Sequence, residues 1–324
     1  SQDVVTFTGS ASTGRMLKAH PRIIEESVPF NMEADSLNAI VLGPDAVPGT
    51  EEFDLFIKEV TREITLKCGQ RCTGARRIMV PQNVLEDVQI ALGKRLGSTV
   101  IGDPRAEGVR MGALAGKAQR EEVKRSLAEL MKGSKVVYGN PDSVDVTGAD
   151  AAKGAFMSPI LLLNTDPWKN QVSHNVEAFG PVSTLMPYKD LDDAVALSKL
   201  GKGSLVATIA THNPQYAQQF VWGAASHHGR MLVLDRDMAK ENTGHGSPLA
   251  TLVHGGPGRA GGGEEMGGKR GVLHYLQRTA VQGHPSMITA LTQQYQQGAT
   301  YHITEKHPFR LHFEELNIGD TLIT

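Results

Sequence analysis

Cysteine is scarce in this chain, and several other features are missing with it. Only two of the 324 residues are cysteine, so a small domain held together by disulfides is excluded. Basic and acidic residues nearly balance, at a formal net charge of −2 and with no basic block. Neither nucleic acid nor an anionic membrane is therefore an expected partner. No apolar run is long enough to span a bilayer and no signal-peptide pattern opens the sequence, so we expect a cytoplasmic location.

Glycine, by contrast, is abundant and concentrated. The chain has 35 glycines, and nine of them fall between residues 255 and 271. This density predicts a segment shaped by its backbone rather than a packed helix.

The rest of the pattern alternates helices and strands. Apolar residues recur at helical spacing over 53–66, and Gly69 is expected to end that helix. Asn83 with Glu86 forms a capping-box pattern at the start of another helix. Further helices are predicted at 118–132, 190–200 and 213–222, and strands at 77–80, 135–138, 159–163, 204–210 and 230–234. Such alternation favours an α/β fold with parallel strands.

Both ends of the sequence look like cuts through structural elements. Residues 4–7 predict a strand that enters a glycine turn almost at once, and residues 316–324 form an apolar, β-branched run without a polar tail. We expect the chain to be part of a larger protein.

The two cysteines lie four positions apart but differ in expected environment. Cys68 extends the apolar face of the helix at 53–66 and is expected to be a buried thiol, whereas Gly69 leaves Cys72 on the following turn. Zinc takes about four ligands, and no second cysteine pair or close histidine pair lies nearby. No metal is therefore expected, and a local disulfide is no better supported. From spacing alone, Cys72 could be a nucleophile or an ordinary turn residue.

Four motifs in a fixed order carry a family resemblance. They are FTGSASTG at 7–14, VPFNMEADSLN at 28–38, GQRCT at 69–73 and EAFGPV at 177–182. Together they resemble the aldehyde dehydrogenase superfamily. The resemblance implies that fold, with part of a Rossmann-type nucleotide-binding domain followed by an α/β catalytic domain.

The resemblance also implies roles for individual residues. Cys72 would be the nucleophile that attacks the aldehyde, with its backbone N–H as one oxyanion donor, and Glu33 would be the general base for the hydrolytic water. A second oxyanion donor, an Asn side chain, would lie upstream of residue 1, so the chain alone is expected to be inactive. The cofactor would be NADP, with NAD possible. Its contacts would be Gly9, Ser10, Gly14, Glu177 and Phe179.

One motif departs from the family pattern. The glycines that usually follow the general base are replaced by Ala34, Asp35 and Ser36. The backbone there is expected to be less mobile, and Asp35 adds a carboxylate to which the sequence assigns no role.

The resemblance narrows to one group within the family. Residues 245–283 and the segment MEADSLN resemble members that degrade phenylacetate and carry a C-terminal hot-dog-fold hydratase domain, an oxepin-CoA hydrolase. This implies oxidation of a CoA-thioester semialdehyde by a homo-oligomer built from dimers, with a hexamer as one such assembly. The predicted domains are 1–35 (nucleotide-binding), 36–243 (catalytic), 244–300 (glycine-rich return) and 301–324 (linker and hydratase start).

Three alternatives stay open. One is a related semialdehyde dehydrogenase of benzoate degradation, the second is a CoA-acylating dehydrogenase, and the third is an inactive module that serves as a scaffold. Ten of the twelve histidines lie beyond residue 200. Single histidines are usually structural, so His245, His254 and His274 receive no role. Arg259 and Lys269 could meet a CoA phosphate or the dinucleotide, but a solvated position is expected for both.

Overall fold

A seven-stranded sheet organises the computed structural model, which describes residues 3–263 and 268–300. Within this part of the chain the helices are α1 (Ala11–Lys18), α2 (Pro21–Glu25), α3 (Glu51–Thr65), α4 (Leu85–Gly97), α5 (Lys117–Leu130), α6 (Leu191–Lys199), α7 (Pro214–Ala224), α8 (Lys269–His274) and α9 (Pro285–Thr292). The strands are β1 (Val5–Thr8), β2 (Phe30–Glu33), β3 (Asn38–Leu42), β4 (Ala75–Pro81), β5 (Lys135–Tyr138), β6 (Ile160–Leu163), β7 (Val182–Tyr188), β8 (Ser204–Ala210) and β9 (His228–Leu234).

The strands form two sheets. β1 and β2 pair in parallel, with Thr8 opposite Glu33. The larger sheet has the order β5-β6-β7-β4-β3-β8-β9 and is parallel except where β5 meets β6. The predicted α/β fold with parallel strands is confirmed.

Both faces of the larger sheet are buried, and β3 shows how. Ile40 and Leu42 pack on one side with α3 and α4, while Ala39 and Val41 pack on the other side with α6 and α7. A strand buried on both faces shows no alternation of apolar and polar residues. The sequence pattern missed β3 and β7, although it predicted helices and strands close to α3 to α7, β4 to β6, β8 and β9.

The end of α3 differs from the prediction. The helix stops at Thr65, and Lys67, Cys68 and Gly69 then all adopt positive φ angles of 53°, 53° and 66°. Gly69 is therefore the last residue of a left-handed run and not the helix stop. Cys68 also does not extend the face of α3: it packs with Met111, Leu114 and Val182 in a separate cluster.

The predicted capping box is wrong as well. α4 begins at Leu85 after a single 3₁₀ turn at Gln82–Val84, and no side chain caps it. The 3₁₀ turn moves the helix start past Asn83, which leaves Asn83 too early to serve as N-cap.

The described residues fall into two compact units, one up to Tyr275 and one from Leu276 onward. The domain boundaries inferred from the sequence stay predictions, and the expected linker and hydratase start at 301–324 lie outside the described residues. Of the helices described, none has both the length and the apolar character needed to cross a membrane.

Candidate active site

The turn that carries Cys72 joins α3 to β4. Two consecutive non-glycine residues in the left-handed region, Lys67 and Cys68, reverse the chain after α3. Each costs of order 1 kcal/mol relative to an ordinary conformation. Cys72 follows on the same turn and is half-buried, whereas Cys68 is 1% exposed. The turn therefore presents one thiol and hides the other.

Arg76, at the start of β4, holds this turn from one side. Its guanidinium donates to the carbonyls of Gly69 (2.8 Å) and Arg71 (3.1 Å) and to the carbonyl of Gly180 (2.8 Å). It also donates to Oε1 of Glu177 at 3.2 Å. Arg76 thus ties the cysteine turn to the EAFGPV segment, a role that the sequence did not predict.

Asn38, at the start of β3, also holds the turn that carries Cys72. Its Nδ2 donates to the carbonyls of Cys72 (2.8 Å) and Gly74 (3.0 Å). Its Oδ1 accepts from the Ser36 hydroxyl (2.7 Å) and the Val206 N–H (3.1 Å). Because Asn38 is fully buried, these bonds are shielded from water and fix the cysteine backbone firmly.

Glu177 and Phe179, the predicted cofactor contacts on EAFGPV, flank the same arginine. The Glu177 carboxylate accepts from Arg76 and from the Ser36 N–H at 3.3 Å. Burial raises the pKa of Glu177 above its ordinary value, and the positive charge of Arg76 opposes that rise. Phe179 is 42% exposed, with the Arg76 guanidinium carbon 5.5 Å from its ring centroid. Their role toward a dinucleotide stays a prediction.

The predicted dinucleotide turn lies between β1 and α1. Ser10 is the N-cap of α1 and accepts from the Thr13 N–H. Gly14 is buried, and a Cβ there would collide with Met32. The Gly9 N–H donates to the Glu33 carbonyl at 3.1 Å, so this turn lies beside the predicted base. A strand that enters a helix through a glycine turn suits a phosphate group.

Glu33, at the end of β2, lies close to Cys72. A carboxylate oxygen of Glu33, the Cys72 Sγ and a ring nitrogen of His254 all lie within 4.8 Å of one another. The Sγ and His254 Nε2 are 3.9 Å apart. The structure therefore brings both predicted catalytic residues together and adds His254, to which the sequence analysis assigned no role. The absence of a metal stays a prediction.

Asp35, which had no assigned role, is paired with Arg259. Two guanidinium nitrogens of Arg259 lie 2.8 and 2.5 Å from the two Asp35 oxygens. Arg259 also donates to the Asn175 carbonyl at 2.9 Å. Arg259 is therefore engaged within the protein and is not a solvated residue at the rim.

The other unassigned residues are structural or exposed. His245 is fully buried, with its Nδ1 2.7 Å from the Thr208 hydroxyl. His274 and Lys269 are exposed. A cavity of about 640 Å³ opens beside the cysteine turn, where Lys67, Gln70 and Phe179 are among its lining residues.

Known proteins resemble this chain over most of its length. The model of the aldehyde dehydrogenase family matches residues 1–281. The chain belongs to the aldehyde dehydrogenase family. The solved structure of a betaine aldehyde dehydrogenase double mutant from Staphylococcus aureus, in complex with NAD+, superposes with a TM-score of 0.72 at 22% identity over 85% of this chain and 51% of the other. This confirms the aldehyde dehydrogenase fold.

Two curated relatives are more similar in sequence. The 3,4-dehydroadipyl-CoA semialdehyde dehydrogenase of Aromatoleum evansii is 44% identical over 79% of this chain and 50% of its own length. Protein MaoC of Klebsiella aerogenes is 47% identical over 66% of this chain and 62% of its own length. The chain thus spans between half and two thirds of the length of these two relatives.

Proposed function

We propose that this chain supplies the nucleophile and the general base of an NAD(P)-dependent aldehyde dehydrogenase. One observation carries the proposal: the Cys72 Sγ and a carboxylate oxygen of Glu33, which come from different motifs, lie within 4.8 Å of each other. The hydrogen bonds of Arg76 and Asn38 hold the cysteine turn in place, which a positioned nucleophile requires.

The chemistry follows from the residue types. The Cys72 thiolate attacks the aldehyde carbon and forms a thiohemiacetal, whose oxyanion accepts a hydrogen bond from the Cys72 N–H. A bound nicotinamide dinucleotide supplies the hydride acceptor for the oxidation. Glu33 then takes a proton from water, which hydrolyses the resulting thioester at Cys72. The Gly9 turn, Glu177 and Phe179 would hold the dinucleotide.

For the substrate we propose a CoA-thioester semialdehyde of the 3-oxo-5,6-dehydrosuberyl-CoA type, with NADP as cofactor and NAD as the alternative. The relative named as a 3,4-dehydroadipyl-CoA semialdehyde dehydrogenase, at 44% identity, supports this substrate class. Within the class, 3,4-dehydroadipyl-CoA semialdehyde is the alternative substrate. We further propose that the chain is part of a two-domain phenylacetate-degradation enzyme that also carries an oxepin-CoA hydrolase and assembles as a homo-oligomer.

The test is NADP+ or NAD+ reduction with each CoA semialdehyde. We would assay the chain alone and the chain joined to the N-terminal half of the Aromatoleum evansii relative. Turnover is expected in the joined protein and its loss is expected with Cys72→Ala, while Cys68→Ala serves as the matched control and retains turnover. Full turnover by the Cys72→Ala variant would refute the proposal.

Glu33→Gln separates hydrolysis from acyl transfer to CoA. If water releases the acyl group, this variant should give a burst of one reduced cofactor per site and then stop. Undiminished turnover that requires free CoA would favour a CoA-acylating dehydrogenase instead. Absence of thiol-dependent turnover in the joined protein would favour a scaffold.

A further inference from the structure

The glycine-rich segment delivers a histidine to the nucleophile. His254 Nε2 lies 3.9 Å from Cys72 Sγ, a sulfur hydrogen-bond distance, although 182 positions separate the two residues. Both side chains are half-buried. Within the described residues, the other titratable side chain of this group is Glu33.

Close backbone contacts fix the position of His254. The next residue, Gly255, places its carbonyl against Gly229 in β9, where any Cβ would overlap it. Gly256 lies in the same way against the Ser204 carbonyl in β8. Such approach is open only to glycine, so the glycines explain why the segment runs across the sheet directly after His254.

A second anchor ties the same segment to the strand that carries Glu33. Arg259 makes its two-pronged ion pair with Asp35. Gly261, at a φ of 99°, packs against the Met32 carbonyl, with no room for a side chain. The positions of His254 and Glu33 are thus coupled through the residues next to each of them, as a preorganised site requires.

From this geometry we propose that His254 is a further catalytic residue, the proton acceptor for the Cys72 thiol. The inference rests on the proposed role of Cys72 as nucleophile. The Cys72 S–H bond breaks, an N–H bond forms at His254 Nε2, and the electron pair stays on sulfur. The sulfur then bonds to the aldehyde carbon while the C=O π pair moves to oxygen. Glu33 remains available for the later water step.

The size of the effect follows from thiol ionisation. A free cysteine with a pKa of about 8.5 is ionised to about 3% at pH 7. Complete proton transfer to an adjacent base would raise the ionised fraction of the thiol, and with it the alkylation rate, by up to ~30-fold. We expect loss of the acceptor to slow Cys72 alkylation at least about fivefold at pH 7. At pH 10 a free thiol is ionised without help, so the difference should fall below about twofold.

The experiment measures iodoacetamide alkylation of Cys72 in the 324-residue chain. His254→Gln and His254→Ala are compared with wild type, Glu33→Gln and the control His227→Ala, whose native ring lies 3.0 Å from the Ser226 hydroxyl. Thermal unfolding midpoints show whether each variant folds. His254→Gln replaces the ring with a polar side chain of similar size, so it serves as the test if His254→Ala does not fold. Slowing at pH 7 but not at pH 10 in both His254 variants, with His227→Ala unchanged, is the expected result.

Two outcomes would overturn the inference. One is wild-type alkylation by folded His254 variants at pH 7, and the other is slowing in Glu33→Gln alone, which would make Glu33 the acceptor. Neither outcome touches the proposed function, which fails separately if the Cys72→Ala variant of the joined protein keeps its aldehyde oxidation.

Discussion

The two cysteines should differ by orders of magnitude in reactivity, although only three residues separate them. Burial raises the pKa of Cys68 to about 12, and its side chain is 1% exposed. At pH 8 a thiol with that pKa is about 10⁻⁴ ionised, against about one quarter for a free thiol of pKa ~8.5. Since the thiolate is the reactive form, ionisation alone slows Cys68 about 2 × 10³-fold relative to a free thiol.

Tryptic digestion reads out each thiol separately. Cleavage after Lys67, Arg71 and Arg76 places Cys68 in the peptide 68–71 and Cys72 in the peptide 72–76. After timed exposure of the native chain to iodoacetamide at pH 8, we expect label in peptide 72–76 and almost none in peptide 68–71. In guanidinium chloride both peptides should be labelled at similar rates.

The result that would refute this reasoning is native labelling of Cys68 within tenfold of the Cys72 rate. Cys68 borders the cavity beside the turn, so the experiment tests directly whether its burial holds in solution. Cys72→Ala is the matched control, since Cys68 must stay unlabelled when the Cys72 thiol is absent.

Three further changes test the architecture around the site. Arg259→Ala should lower the free energy of unfolding by about 2 kcal/mol, because it leaves the Asp35 carboxylate without its partner in a site only partly open to water; a coupling below about 0.5 kcal/mol in a double-mutant cycle with Asp35→Asn would contradict this. Asn38→Ala should cost about 3 kcal/mol in urea unfolding, because the Cys72 and Gly74 carbonyls lose a buried donor, and a loss within experimental error of zero would count against the assigned role. Acid should destabilise the protein as pH falls from about 6.5 towards 3. Between pH 6.5 and 4.5 the slope is up to ~3 kcal/mol per pH unit, because three histidines take up protons on unfolding while Glu63, whose pKa burial raises to about 7, releases one. Burial lowers the pKa of His174, His228 and His245 from the ordinary 6.5 to about 3. Each of these histidines therefore contributes to stability above pH 6.5 and loses that contribution as the pH falls towards 3. All three histidines are buried. Urea midpoints that stay constant from pH 7 to pH 4 would refute this expectation.

Periodicity predicted many of the elements but not the details at their ends. Helix α3 was predicted because its apolar residues repeat along one face, a property of the local sequence. Its end was not, because left-handed residues such as Lys67 and Cys68 carry no periodic signal and are held by tertiary contacts. Strand β3 was missed, whereas β4 and β8, which are buried along their whole length as well, were predicted. Burial on both faces removes the alternation that marks a strand and leaves a short apolar run as the signal.

The sequence by itself determined the family, the α/β alternation and the pairing of Cys72 with Glu33 as candidates, because ordered motifs and periodicity are local properties of the chain. Only the tertiary structure decided the surroundings of Cys72. Its partner His254 lies 182 positions away, and the Asp35 to Arg259 pair spans 224 positions. No spacing rule reaches across such distances: the crossing of backbones at Gly229 and Gly255 sets which residues meet, and it exists only once the sheet has formed.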